Sequence, residues 1–175
     1  PAFVSLGSQP LANGLCATRE AARAAPRYPL AVTRCPGCEV VQLTHDVPAD
    51  EMFGDYPYRT GASAFFREHF DGLAAEITKA RPDRGFAIDI GCNDGTLLAA
   101  FKRRGWAAVG IEPCEALAIE AAKASGCGVR PRPWSAAMVD VWRDDDEPFA
   151  DVITACNVFA HVPDLHDFLR GGVKA

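Results

Sequence analysis

The sequence predicts an α/β fold: a doubly wound, mostly parallel sheet preceded by a small amino-terminal domain. Three observations predict it. Beyond residue 61, apolar strand-like runs alternate with helical patterns, which is how a parallel sheet acquires helices on both faces. Ile88-Asp89-Ile90-Gly91-Cys92-Asn93-Asp94-Gly95-Thr96 places a glycine turn between a strand and a helix. Before residue 60 the composition shifts to Pro, Gly, Tyr and short extended runs, two of which flank Cys35-Pro36-Gly37-Cys38. The expected division is therefore residues 1–60 and residues 61–175.

In the first part, Leu30 to Thr33 and Val40 to Leu43 read as two short strands joined by the cysteine turn. The second part opens with a helix over Ala64 to Ala80, where Phe66, Phe70, Leu73, Ala74 and Ile77 recur at helical spacing. Arg81 to Gly85 ends it. Phe86 to Ile90 is an apolar run suited to a buried parallel strand. A helix over Thr96 to Arg104, a strand over Ala107 to Ile111 and a helix from Cys114 to Ser125 follow. Gly128 to Arg130 is a short strand, because Pro131 and Pro133 soon interrupt it. Trp134 to Trp142 reads as helix, Asp144 to Glu147 as an acidic solvated loop, Asp151 to Ala155 as a fourth strand, and Asp164 to Arg170 as the start of another helix. Four strands make a thin sheet. The chain also opens Pro1-Ala2-Phe3 without Met and closes in a helical pattern. The expectation is a chain cut at both ends, with the sheet incomplete at its carboxyl side.

The 175 residues suffice for one ordinary domain and a small appendage. With 49% apolar and 23% charged residues the composition is globular. Eighteen basic residues against 23 acidic ones leave a net charge of −5, a poor basis for binding nucleic acid through bulk charge. No run approaches the ~18 uncharged apolar residues that span a bilayer. Seven cysteines, an odd number with one close pair, point away from a secreted disulfide scaffold and toward a reducing, cytoplasmic setting.

The glycine turn carries the chemistry. Gly91 permits a sharp turn and leaves room for a ligand. Gly95 stands where a helix begins and where backbone N–H groups are available. Asn93 holds the second glycine position of the dinucleotide fingerprint, so a pyrophosphate would lose its close backbone approach. No Gly-Lys-Ser/Thr follows, which excludes a P-loop. The spacing suits a ligand without phosphates. Glu112 ends the next strand, 21 residues after Gly91, where an acid can accept from ribose hydroxyls. Asn157 lies at the carboxyl edge after the fourth strand, and His161, four residues on in the loop that would face the ligand, reads either as a packed or surface histidine or as a site residue. Tyr56 and Tyr58 read either as packing aromatics or as site residues.

At these residues the chain resembles the class I S-adenosylmethionine-dependent methyltransferases. More narrowly, it is similar to the zinc-binding C-methyltransferases of nucleotide-linked 4-keto-deoxyhexoses. Four stretches carry the resemblance: Gly7 to Asn13, Cys35 to Leu43, Asp89 to Leu98, and Asn157 to Leu165. The resemblance implies a Rossmann-like methyltransferase core behind an amino-terminal zinc-knuckle domain. It implies S-adenosylmethionine bound by Asp89, Gly91, Cys92, Asn93, Asp94 and Gly95, by Glu112 and Pro113, and by Asn157. It implies Tyr58 beside His161 in the active site, and a nucleotide-sugar as the small-molecule substrate. It also implies structural zinc on two C-x-x-C pairs. Only Cys35 and Cys38 are in this chain, so the metal site is expected to be incomplete here. Cys16 and His45 are further ligand candidates that their spacing does not favour. A redox role for Cys35-Pro36-Gly37-Cys38 would want a helix start, and the flanks read as strands.

Two rival functions follow from the same residues. One is O- or N-methylation of another small molecule, since folds do not specify reactions. The other is a non-catalytic zinc-ribbon module with a methyltransferase-like interaction domain. A nicotinamide enzyme is disfavoured by Asn93.

Overall fold

The computed structural model describes residues 1–54, 56–81, 83, 85–144 and 148–175. Asp145, Asp146 and Glu147 of the expected acidic loop lie outside the described residues, as do Asp55, Pro82 and Arg84. The chain separates into two compact units, Pro1–Tyr58 and Arg59–Ala175.

The first unit runs β1 (Ala2–Gln9), α1 (Arg19–Ala24), β2 (Tyr28–Arg34), β3 (Val41–Leu43) and α2 (Ala49–Phe53). Its three strands form an antiparallel sheet in the order β1-β2-β3. The sequence reading finds the β2–β3 hairpin but not β1, α1 or α2. β1 escapes notice because Gly7, at φ 70°, and two register shifts against β2 break its period of two. α1 is six residues, too short for a helical repeat, yet it is capped: the Ala21 N–H donates to Thr18 Oγ1 at 3.1 Å. No described residue of this unit is fully buried.

The second unit opens with a short 3₁₀ turn at Thr60–Ala62, followed by α3 (Ala64–Ala80) and β4 (Phe86–Ile90). Then come α4 (Thr96–Arg103), β5 (Ala107–Ile111), α5 (Glu115–Ser125), β6 (Gly128–Arg130), α6 (Ala136–Asp144), β7 (Val152–Thr154) and α7 (Leu165–Lys174). The sheet order is β6-β5-β4-β7, with every neighbouring pair parallel. The strand order reverses between β4 and β7, the place where open α/β sheets bind ligands.

Side chains along β4 alternate between two cores. Ala87 packs with Phe70 and Ala74 of α3, and with Leu97, Leu98, Ala100 and Phe101 of α4. Phe86, Ile88 and Ile90 pack with Met138, Val139 and Trp142 of α6, and with Phe168 of α7. All five β4 residues are buried, which is why the strand reads as a continuous apolar run rather than an alternating one. Ion pairs tie the outer helices: Asp71 of α3 to Arg103 and Arg104 at the carboxyl end of α4, and Asp140 of α6 to Lys174 of α7. α7 continues through Gly171 and Gly172, past the expected Arg170. Gly171 lies against Trp134, whose indole Nε1 would be 2.7 Å from an added Cβ. Among the described residues, no helix is long and apolar enough to cross a membrane.

Candidate functional site

The buried strand β4 delivers the chain to the turn at Gly91, where the N–H groups of Gly91 and Cys92 both donate to the Ile111 carbonyl at 2.7 and 3.1 Å. Three residues of the turn are left-handed: Gly91 at φ 65°, Asn93 at φ 52° and Gly95 at φ 78°. Asn is among the few residues that hold this conformation at low cost. Both glycines also permit close approach within the protein. A Cβ on Gly95 would stand 2.9 Å from the Ala121 carbonyl of α5. A Cβ on Gly91 would stand 2.5 Å from Val158 Cγ2. The position a Gly91 Cβ would take therefore faces Val158.

Asp94 caps the start of α4. Its Oδ1 accepts from the Thr96 N–H at 3.2 Å and from the Thr96 hydroxyl at 2.6 Å. Its Oδ2 accepts from the Gly61 N–H at 2.6 Å. A helix N-terminus attracts anions, but here a carboxylate of the protein already holds that position. A phosphate would meet like charge, in keeping with a ligand that has none.

Two more carboxylates end neighbouring strands. Glu112 follows β5 and is 6% exposed. Its Oε2 accepts from the Asn93 N–H and its Oε1 from the Cys114 N–H, both at 2.9 Å. Burial pushes its carboxyl above the usual range, and the two N–H donors oppose that. Pro113 is exposed in the turn that follows. Asp89, in β4, is 4% exposed, and the Thr154 hydroxyl donates to its Oδ1 at 2.7 Å. The parallel register of β4 and β7 sets Thr154 opposite Asp89. Burial pushes Asp89 up to about 7, with the charge of Glu112 adding to the effect. Cys92 is different: its Sγ lies against Gly110 in the core, and burial pushes the thiol up. Only its main chain reaches the turn.

Beyond β7, Asn157 is exposed and left-handed at φ 58°. Val158 docks on Gly91, and the His161 N–H donates to the Val158 carbonyl at 2.9 Å in the 3₁₀ turn Phe159–His161. The structure thus brings Asp89, the 91–96 turn, Glu112 and the Asn157–His161 segment to the carboxyl end of one sheet. Tyr58 belongs to the first unit, where its ring meets Tyr56 edge-on at 6.3 Å. Sequence reasoning missed Thr154, Val158, Thr60 and Gly61. Val158 stands inside the Asn157–Leu165 stretch, but its contact with Gly91 and the places of the other three are set by strand order and loop docking.

The donor set fits a positively charged ligand bearing a ribose. Acidic side chains at Asp89, Asp94 and Glu112 disfavour an anion, Glu112 can accept from hydroxyls, and Asp94 discourages phosphate. S-adenosylmethionine has these properties. Zinc is different. Cys35 and Cys38 lie in a tight hairpin turn, where the Cys35 N–H donates to Val40 O and the Glu39 N–H to Cys35 O. Among the described residues, no three His, Cys, Asp or Glu side chains gather to hold a metal. Cys16 and His45 do not join the pair, and His45 stacks on Tyr28 instead. Two thiolates are half of a tetrahedral site, so the residues present do not by themselves fit structural zinc.

A family described as "Methyltransferase domain" matches residues 88–175, half of the chain. A second, described as "Putative zinc binding domain", matches residues 2–53. The C-methyltransferase NovU of Streptomyces niveus is 29% identical over 171 residues, covering 96% of this chain. The chain spans 40% of that relative's length. Among solved structures, magnesium protoporphyrin IX methyltransferase from Synechocystis PCC 6803 with bound SAM is 16% identical, with a TM-score of 0.44 over 55% of this chain and 47% of its own. A SAM-bound amino pentose methyltransferase from Micromonospora echinaspora is 23% identical, with a TM-score of 0.33 over 43% of this chain and 35% of its own.

Proposed function

We propose, from the premise that this chain belongs to the methyltransferase-domain family, that its 89–96 turn binds S-adenosylmethionine for methyl transfer to carbon. The substrate we propose is a nucleotide-linked 4-keto-deoxysugar. One observation carries the cofactor reading: two buried carboxylates, Asp89 and Glu112, flank a left-handed glycine turn at the carboxyl ends of adjacent parallel strands. Similarity to a C-methyltransferase supports carbon as the acceptor. The sugar rests on the resemblance of the four sequence stretches.

The cofactor, when bound, supplies an electrophilic methyl group. In our reading, Glu112 accepts from the ribose hydroxyls, and Asp89 offers a hydrogen-bonding carboxyl toward the cationic end. The main chain of residues 91–95 and Pro113 line the remaining contacts, with Asn157 across the site. The acceptor carbon stands beside a ketone, which acidifies its proton. A base removes that proton, and donors hold the enolate oxygen. We assign His161 and Tyr58 to hydrogen-bonding the ketone oxygen or moving that proton. Positioning supplies much of the remaining acceleration.

Calorimetric titration with S-adenosylhomocysteine, with NAD as the control, tests the cofactor assignment. The expected result is saturable binding near micromolar, about 8 kcal/mol, and none of NAD. A folded chain that binds neither, both alone and when extended at each end, overturns the assignment.

A further inference from the structure

Asn93 and Asp94 do more than shape the turn, because their side chains are held from outside it. The Thr60 N–H donates to Asn93 Oδ1 at 2.9 Å, and the Gly61 N–H donates to Asp94 Oδ2 at 2.6 Å. Arg59 pairs with Glu120 of α5, Nε to Oε2 at 2.7 Å. The Arg67 guanidinium of α3 donates to the Gly61 carbonyl. Residues 59–61 therefore form a short clasp pinned to α3, to α5 and to the turn. Only glycine fits at its last position. A Cβ on Gly61 would stand 2.7 Å from Thr96 Oγ1 and 3.0 Å from Asp94 Oδ2.

The clasp reaches Glu112 through one residue. Asn93 accepts from Thr60 with its side chain and donates to Glu112 Oε2 with its own N–H at 2.9 Å. Asn93 is left-handed, a conformation asparagine adopts at low cost, and the Thr60 N–H fixes the side chain that goes with it. We propose that Thr60 and Gly61 are positioning residues for cofactor binding: Thr60 holds the Asn93 side chain and Gly61 the Asp94 side chain, fixing the turn whose Asn93 N–H aims the Glu112 carboxylate at the ribose. The inference rests on the cofactor reading above. It also gives Asn93 and Asp94 side chains a supporting task rather than direct contact with the ligand.

The test compares wild type, Gly61→Ala, Thr96→Ala and the double variant. Each is titrated with S-adenosylhomocysteine and with its 2′-deoxyribose analogue, and near-UV circular dichroism checks the fold. Wild type should prefer the ribose form by about tenfold, the scale of a hydrogen bond to a charged group. Gly61→Ala should weaken S-adenosylhomocysteine at least tenfold and shrink that preference toward unity. Thr96→Ala removes the nearer of the two atoms that the new methyl strikes and leaves Asp94 Oδ2 at 3.0 Å, so the double variant should regain part of the lost affinity relative to Thr96→Ala alone. Unchanged affinity and preference in Gly61→Ala overturn the clasp. So does a loss that falls equally on both ligands, or one that Thr96→Ala fails to rescue in a folded protein. Failure of wild type to bind either ligand overturns the cofactor reading instead.

Discussion

Asp89 shows how far one residue's surroundings can move its chemistry. In the unfolded chain it titrates near 4, as any aspartate does. Buried in β4, it titrates at about 7. Between those values the native state holds a proton that the unfolded state has lost. Stability therefore falls as pH rises through that window, by up to about 1.4 kcal/mol per pH unit. Asp89→Asn lacks the titrating group, so urea unfolding of wild type and variant at pH 4.5, 5.5, 6.5 and 8 should show a difference that grows in the variant's favour toward pH 7 and then levels. A constant difference would mean that Asp89 ionises normally when folded. At His161 the prediction concerns rate. Because His161 takes part in the proposed acid–base chemistry, His161→Ala in a chain extended to its relative's length should lower turnover roughly 10²-fold. Unchanged turnover removes it from the mechanism.

Among the elements, the β4 turn and the segment after β7 depend on each other. Val158 fills the space that Gly91 leaves, and the Val158 carbonyl receives the His161 N–H. Gly91→Ala would impose a left-handed alanine and a 2.5 Å clash at once. The expected cost is about 1–3 kcal/mol of stability. Adding Val158→Ala should recover the clash but not the backbone strain, so the double variant should unfold between wild type and Gly91→Ala. Additive losses would show that the two segments do not share this contact. The elements differ in how plainly the sequence announces them. α3, β4 and β5 are legible because a long amphipathic period or a wholly buried strand leaves a strong pattern. β1 is not, since Gly7 and its register shifts interrupt the pattern, and α1 and α2 are shorter than two helical turns.

Across the whole molecule, the two units follow different physical rules. The second, Arg59–Ala175, buries two apolar layers on either side of a parallel sheet. The first holds a three-stranded antiparallel sheet without one fully buried described residue. Domains this small commonly need a metal or disulfides to supplement their core. Cys35 and Cys38 are two thiols where a tetrahedral zinc site needs four ligands.

Local order along the chain was enough to determine the βα alternation, the glycine turn, Glu112 at a strand end and the cysteine turn. Each depends on residues within a few positions of one another, where spacing alone carries the constraint. What only the tertiary structure decided depends on contacts between distant segments. The β4–β7 register brings Thr154 to Asp89, 65 positions apart. Loop docking sets Val158 in the hollow of Gly91, and the clasp sets Thr60 and Gly61 on Asn93 and Asp94, 33 positions on. These contacts leave no periodic trace, because each is one close approach selected by the packed fold.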